Sequence, residues 1–316
     1  MKRSVRMIPS ISSTLYDEES RSSATAHMIR DDLYTGIVPF SQLADYIRLN
    51  VRSGKPEMVS RAVASAFARE QPPIDLADAL AEFIRSAAQG AAFYGAVHYE
   101  LVLEGFDARP LMQRPSRFLV PDDLRFSVDS IMPLTVFKSF GRLVQRIPAE
   151  DSATRKRRSI VLDKARTFEV SLPAISASRW LRMMALIVDL YKSWLGASLI
   201  SMEGFDFSTQ QALLQRAQLC VTNPISWIRV GLKPKEMSDV HLAYRWLKMQ
   251  RFVYSLRESI VSVMNRILAA AGNAKGFNAE VATAGLPSPA DADDAANRLA
   301  SGEVGPDIIS TFIRRS

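Results

Sequence analysis

Apolar residues recur at heptad spacing between Lys235 and Ala271: Leu242, Trp246, Met249, Val253, Leu256, Ile260, Val263 and Ile267. The steps alternate four and three, the 3.5-residue seam of a helix packed lengthwise on a partner. A second stripe, Leu247, Tyr254, Val261 and Leu268, repeats every seven residues on another face. The spacing therefore predicts a long helix covered from two sides, reaching about 50 Å and stopped at Gly272 and Asn273. Trp246, Met249, Val253, Leu256 and Ile260 are expected in core or oligomer packing.

The chain ahead of this helix divides by pattern. Residues 1–30, rich in Ser, Thr and Arg around Asp17-Glu18-Glu19, read as a flexible arm. A helical and strand-bearing region spans 31–108. It holds a short helix within Leu33–Leu49, after Pro39 and capped by Ser41, an Ala-rich helix from Met58 to Arg69, and a firmer one from Leu76 to Gln89 opened by Asp75. At Gly90 the period changes to two. Phe93, Val97, Tyr99, Leu101 and Leu103 alternate with Tyr94, His98, Glu100 and Glu104, the pattern of a half-buried strand.

Residues 109–173 read as β-rich, with strands at Phe118–Val120, Arg142–Ile147, Ser159–Leu162 and Thr167–Leu172 punctuated by prolines. From 174 to 316 the chain turns helical. Trp180–Leu195 is amphipathic and ends at Gly196, and Thr209–Cys220 follows a capping Ser208. The exit of the long helix, Gly276–Gly285, is expected to include a brief turn of helix. Ser288-Pro289-Ala290-Asp291 is a start signal, with a capping Ser, Pro at the first helical position and an acid three residues on. Pro306 opens a last small helix. The fold class expected is α+β, mainly helical, with a β-rich middle segment and one long core helix near the C-terminus.

The 316 residues are 47% hydrophobic and 23% charged, a globular balance with room for a real core. No apolar run is long enough to span a bilayer; the nearest, near Met183–Leu190, is cut by Asp189 and Lys192. The basic start, Met1-Lys2-Arg3-Ser4, leads into Arg6 and Pro9 rather than an apolar core, so a secretory leader is not expected. Cys220 has no second cysteine to join and reads as a buried thiol in an intracellular or virion-internal protein. A net charge of +7 and a pI near 9.6 permit an acidic partner such as nucleic acid.

That charge is densest at Arg155-Lys156-Arg157-Arg158, between two expected strands. Such a loop is either solvated or in contact with phosphate, where four adjacent cations release counterions from a nucleic-acid backbone; a nuclear-import signal is a third reading. His98 and Glu100 share a strand face and admit either a metal ligand pair or a solvated surface, with no ligand motif around His27 or His241. Phosphate loops, dinucleotide fingerprints, HExxH, CxxC and the GxSxG elbow are all absent. The acid pairs Asp31-Asp32, Asp122-Asp123 and Asp293-Asp294 diverge on any regular element and are poor at gripping one metal. No catalytic residue, metal or cofactor is expected.

The helix Leu76–Gln89 running into Gly90-Ala91-Ala92-Phe93-Tyr94-Gly95-Ala96-Val97-His98-Tyr99-Glu100 resembles a stretch of bacteriophage portal proteins. There a wing helix passes through a tyrosine–glycine step into a strand ending near an acid. The close of the chain is similar too: a long helix, Gly285-Leu286-Pro287, a short helix, then Leu299-Ala300-Ser301-Gly302-Glu303-Val304. The likeness is scattered over about Asp75–Arg314, and the chain is short for that family, which implies a reduced clip, crown or stem. The resemblance implies a homo-oligomeric ring of about a dozen copies at one capsid vertex of the virion, assembled in the host cytoplasm. Double-stranded DNA would pass through it, with terminase, capsid and head–tail adaptor proteins as partners and no membrane. Two other classes remain open: a basic nucleic-acid-binding or adaptor protein acting through Arg155–Arg158, and a divergent metal-dependent nuclease using the scattered acids.

Overall fold

The computed structural model describes residues 24–68, 75–103, 122–131, 135–139, 141–147, 158–198, 207–227 and 237–313. The order is α1 (Ala24–Ile37), α2 (Leu43–Tyr46), β1 (Ile47–Ser53), α3 (Pro56–Phe67), α4 (Leu76–Tyr94), β2 (Ala96–Leu103) and β3 (Phe126–Ile131). Next come β4 (Val136–Ser139), β5 (Arg142–Ile147), β6 (Arg158–Val161), β7 (Thr167–Ser171), α5 (Ala177–Ser198) and α6 (Phe207–Val221). The chain closes with α7 (Asp239–Lys275), β8 (Asn278–Thr283), α8 (Pro289–Ala300) and α9 (Ile309–Ile313). It is an α+β protein, mainly helical, with small antiparallel sheets.

The long helix is α7, 37 residues and about 55 Å. It begins at Asp239 rather than Lys235, where the Ser238 hydroxyl accepts from the His241 amide at 3.2 Å. It also continues past Gly272 to Lys275. Gly272 is a packing residue, since a Cβ there would run into the Phe277 carbonyl. The stop is Gly276, left-handed at φ 77, whose amide bonds the Gly272 carbonyl at 2.8 Å. Helices α1, α4 and α8 and strands β7 and β8 all pack on α7, so it is covered from more than two sides. Met249, Val253, Leu256 and Ile260 are core residues, and Trp246 is half-buried at its edge.

Helix α1 starts at Ala24, inside the stretch whose composition read as an arm, because Ile29, Leu33 and Ile37, spaced by four, form a stripe of fully buried side chains. A Cβ at Gly36 would sit 3.7 Å from Val253 Cγ1, where α1 meets α7. The helix expected after Pro39 is the single turn α2, entered through left-handed Gln42, not Ser41, while Leu33–Ile37 ends α1. The residues after it form β1, where Ile47, Leu49 and Val51 alternate with Arg48, Asn50 and Arg52.

Strand β1 pairs antiparallel with β8, where a helical turn was expected. The outer edge of β8 is closed by a side chain of α7. The Asn265 amide donates to the Val281 carbonyl at 3.0 Å and accepts from the Val281 amide at 2.7 Å.

Helix α4 runs through Gly90 to Tyr94, beyond the expected stop at Gln89, so Phe93 is helical. Gly90 is there for close approach, since a Cβ would sit 2.6 Å from Val97 Cγ1. The conformational break is Gly95, at φ 77 with Ala177 2.6 Å from where its Cβ would be. Its sheet has the order β3-β2-β7, with Val97, Tyr99, Leu101 and Leu103 facing the core. Phe67, Phe83 and Tyr99 make a chain of rings at 4.8 Å steps beneath it.

Helix α5 passes Gly196 to Ser198. Its buried Trp180 donates to the Ala92 carbonyl at 2.8 Å and stacks on Phe252 of α7. The expected capping box at α8 is present, Ser288 and Asp291 bonding reciprocally.

Candidate nucleic-acid interface

Arg158, the last residue of the basic run, belongs to a separate three-stranded sheet, order β4-β5-β6. Strand β5 matches the expected Arg142–Ile147, and β6 begins at Arg158; β4 and β3 lack strong alternation and were not expected. Gly141, left-handed at φ 75, turns β4 into β5, and the Leu162 amide bonds the Leu143 carbonyl at 2.9 Å. The chain then leaves through a turn in which the Asp163 carboxylate accepts from the Ala165 amide at 2.9 Å. No other described element packs substantially on this sheet.

Register places Phe137 opposite Val144, Arg146 opposite Ser159 and Ile147 opposite Arg158. Directly paired residues share a face, so Phe137, Arg142, Val144, Arg146, Ser159 and Val161 lie on one side. Arg142 and Arg146 are exposed, and neither has a carboxylate partner among the described residues. The Arg146 guanidinium lies 4.8 Å from the Phe137 ring centroid. Of the four cations singled out by sequence, Arg158 is placed as the first residue of β6; Arg155, Lys156 and Arg157 lie outside the described residues, as does the expected strand Phe118–Val120.

The other groups singled out by sequence go elsewhere. His98 is buried, not solvated, with Nε2 3.7 Å from Glu169 Oε2 across the β2–β7 pair. Among the described residues no group of three His, Cys, Asp or Glu side chains is placed to hold a metal. Asp32 accepts from Trp227 Nε1 at 2.8 Å. Asp293 accepts from Arg251 at 2.5 Å and Lys248 at 3.2 Å, tying α8 to α7. Partial burial pushes its carboxyl up, but the hydrogen bonds and charges of Arg251 and Lys248 outweigh that and hold it below its usual range. Asp294 lies 3.9 Å from Arg298. Cys220 is exposed rather than buried, on the last turn of α6, whereas Thr222 just beyond the helix is buried.

Four buried arginines were not apparent from the sequence. Arg245 donates to Asn223 Oδ1 at 3.2 Å and to the Leu219 and Trp227 carbonyls at 3.4 Å. Arg257 donates to the Ile37 carbonyl at 3.3 Å and to that of Pro287. Arg85 donates to the Pro39 carbonyl and covers the Phe40 ring at 4.3 Å. Arg30 covers Phe93 at 3.9 Å. Burial draws the pKa of Arg85, Arg245 and Arg257 down.

No protein-family model matches the chain, and no curated protein matches it. No described helix is long and apolar enough to cross a membrane.

Proposed function

We propose that the protein is a non-enzymatic structural subunit, portal-like, that closes with its own copies into a ring for the passage of double-stranded DNA at a phage capsid vertex. The observation that carries this reading is the joint docking of its two portal-like segments on α7. The step from α4 through Gly95 into β2 packs against that helix, and the closing segment returns to it through Arg257, whose guanidinium holds the Pro287 carbonyl. Three of the six paired acids are engaged in fastening: Asp32 to Trp227, Asp293 to α7, Asp294 within α8. Terminase, capsid and head–tail adaptor proteins are the partners this reading implies, within the virion and, before that, the host cytoplasm.

A ring subunit buries surface head to tail against identical neighbours. The seam of α7 is consumed inside the subunit, so it does not supply that surface. Leu186 on α5, Leu213 on α6, and Val240 and Tyr244 on the first turns of α7 are large apolar side chains left at 47, 59, 47 and 36% exposure. The pair Leu186→Asp and Leu213→Asp is expected to disperse the oligomer while leaving the circular dichroism spectrum of the subunit unchanged. An oligomer of undiminished mass in that variant would remove these helices from the interface.

A further inference from the structure

We infer that the face of the β4–β5–β6 sheet carrying Phe137, Arg142 and Arg146 binds the phosphate backbone of duplex DNA. The inference rests on the portal-like reading for its choice of polyanion; its residues come from the sheet itself. The three strands hold Lys138, Arg142, Arg146 and Arg158 and not one Asp or Glu. Arg142 and Arg146 lie four residues apart on β5, about 13 Å along the strand, and on the same face.

Both are exposed, and no described carboxylate neutralises either. Unpaired like charges on one small sheet repel one another, and a polyanion laid across them relieves that repulsion. The Phe137 ring under Arg146 adds orientation. A guanidinium stacked on an aromatic face keeps its edge N–H donors free for a phosphate oxygen.

Arg158, the first residue of β6, pairs with Ile147, next to the Arg146–Ser159 pair. Single-stranded nucleic acid is less well suited, because it is held by bases stacked on several free aromatic rings. Phe137 is the one described aromatic of this sheet, and it is covered by Arg146.

The test uses the full chain and a fluorescent duplex of about 30 base pairs, with binding followed by anisotropy between about 50 and 200 mM salt. Arg142→Ser with Arg146→Ser is compared with Arg179→Ser with Arg182→Ser, which removes the same charge from exposed positions of α5. The β5 variant is expected to bind about tenfold or more weakly at low salt and to lower the salt slope by about two, while the α5 variant stays near the parent. Equal weakening of the two variants, no weakening in either, or a parent that prefers anionic phosphatidylserine vesicles to the duplex would overturn the inference. Sedimentation of the same samples separates it from the ring. Arginine-dependent DNA binding by a monomer would sustain the interface and sink the portal-like reading, whereas rings blind to the β5 variant would do the reverse.

Discussion

At the scale of single residues, the interior is fastened by groups usually found outside. Arg30, Arg85, Arg245 and Arg257 are 5, 6, 8 and 3% exposed. Arg85, Arg245 and Arg257 hold backbone carbonyls where the chain changes direction, satisfying acceptors that would otherwise be buried without a donor. Tyr254, beside Arg257, shows the opposite condition, since its buried hydroxyl has no hydrogen-bond partner. Burial pushes its pKa up to about 12, with Arg257 pulling down and Asp291 adding to the rise. A folded-state value above the unfolded one, about 10, makes the protonated form the one that folding favours. The stability linked to it is complete below about pH 10 and is lost as pH rises toward the folded value. Tyr254→Phe should therefore change stability by no more than about 1 kcal/mol near neutral pH. In urea melts near pH 11 the variant should lose less stability than the parent. A loss of several kcal/mol at neutral pH would mean that the hydroxyl is bonded.

At the scale of elements, α7 carries the fold, and Leu256 at 0% exposure measures how much. Leu256→Ala is expected to cost about 2–5 kcal/mol, as for a truncated core leucine; an unmoved denaturation midpoint would contradict the core role. This helix was legible because its seam repeats over many turns, and α8 because its capping box is local chemistry. Strands β1 and β8 were not legible as a pair. Each is short, β8 holds two alanines and little large apolar surface, and its outer edge is closed by Asn265, a contact no periodicity announces. Gly90 and Gly95 looked alike in sequence, yet the first allows Val97 to approach and only the second breaks the helix. The candidate interface was half legible. Charge density drew attention to Arg155–Arg158, but only strand pairing sets Arg142 and Arg146 beside Phe137, because register is a tertiary property.

At the scale of the whole molecule, one apolar core joins residues from Ile29 to Leu299, so both portal-like segments belong to one packed body. Leu186, Leu213, Val240 and Tyr244 are exposed on α5, α6 and the start of α7, with Phe40 and Val161 of β6 exposed elsewhere, and Arg142 and Arg146 are exposed on β5. The helical apolar group and the two β5 arginines suit a subunit that meets its copies through the first and a polyanion through the second. A closed ring requires the first of these to be heterologous, each subunit using different patches toward its two neighbours. The most direct measurement is negative-stain imaging of the purified full-length chain across a concentration series, with its mass in solution recorded in parallel. The proposal predicts closed rings of about a dozen copies, formed by the protein alone or once concentrated. A strict monomer at every concentration, above all one that cleaves DNA when Mg²⁺ or Mn²⁺ is added, would contradict it.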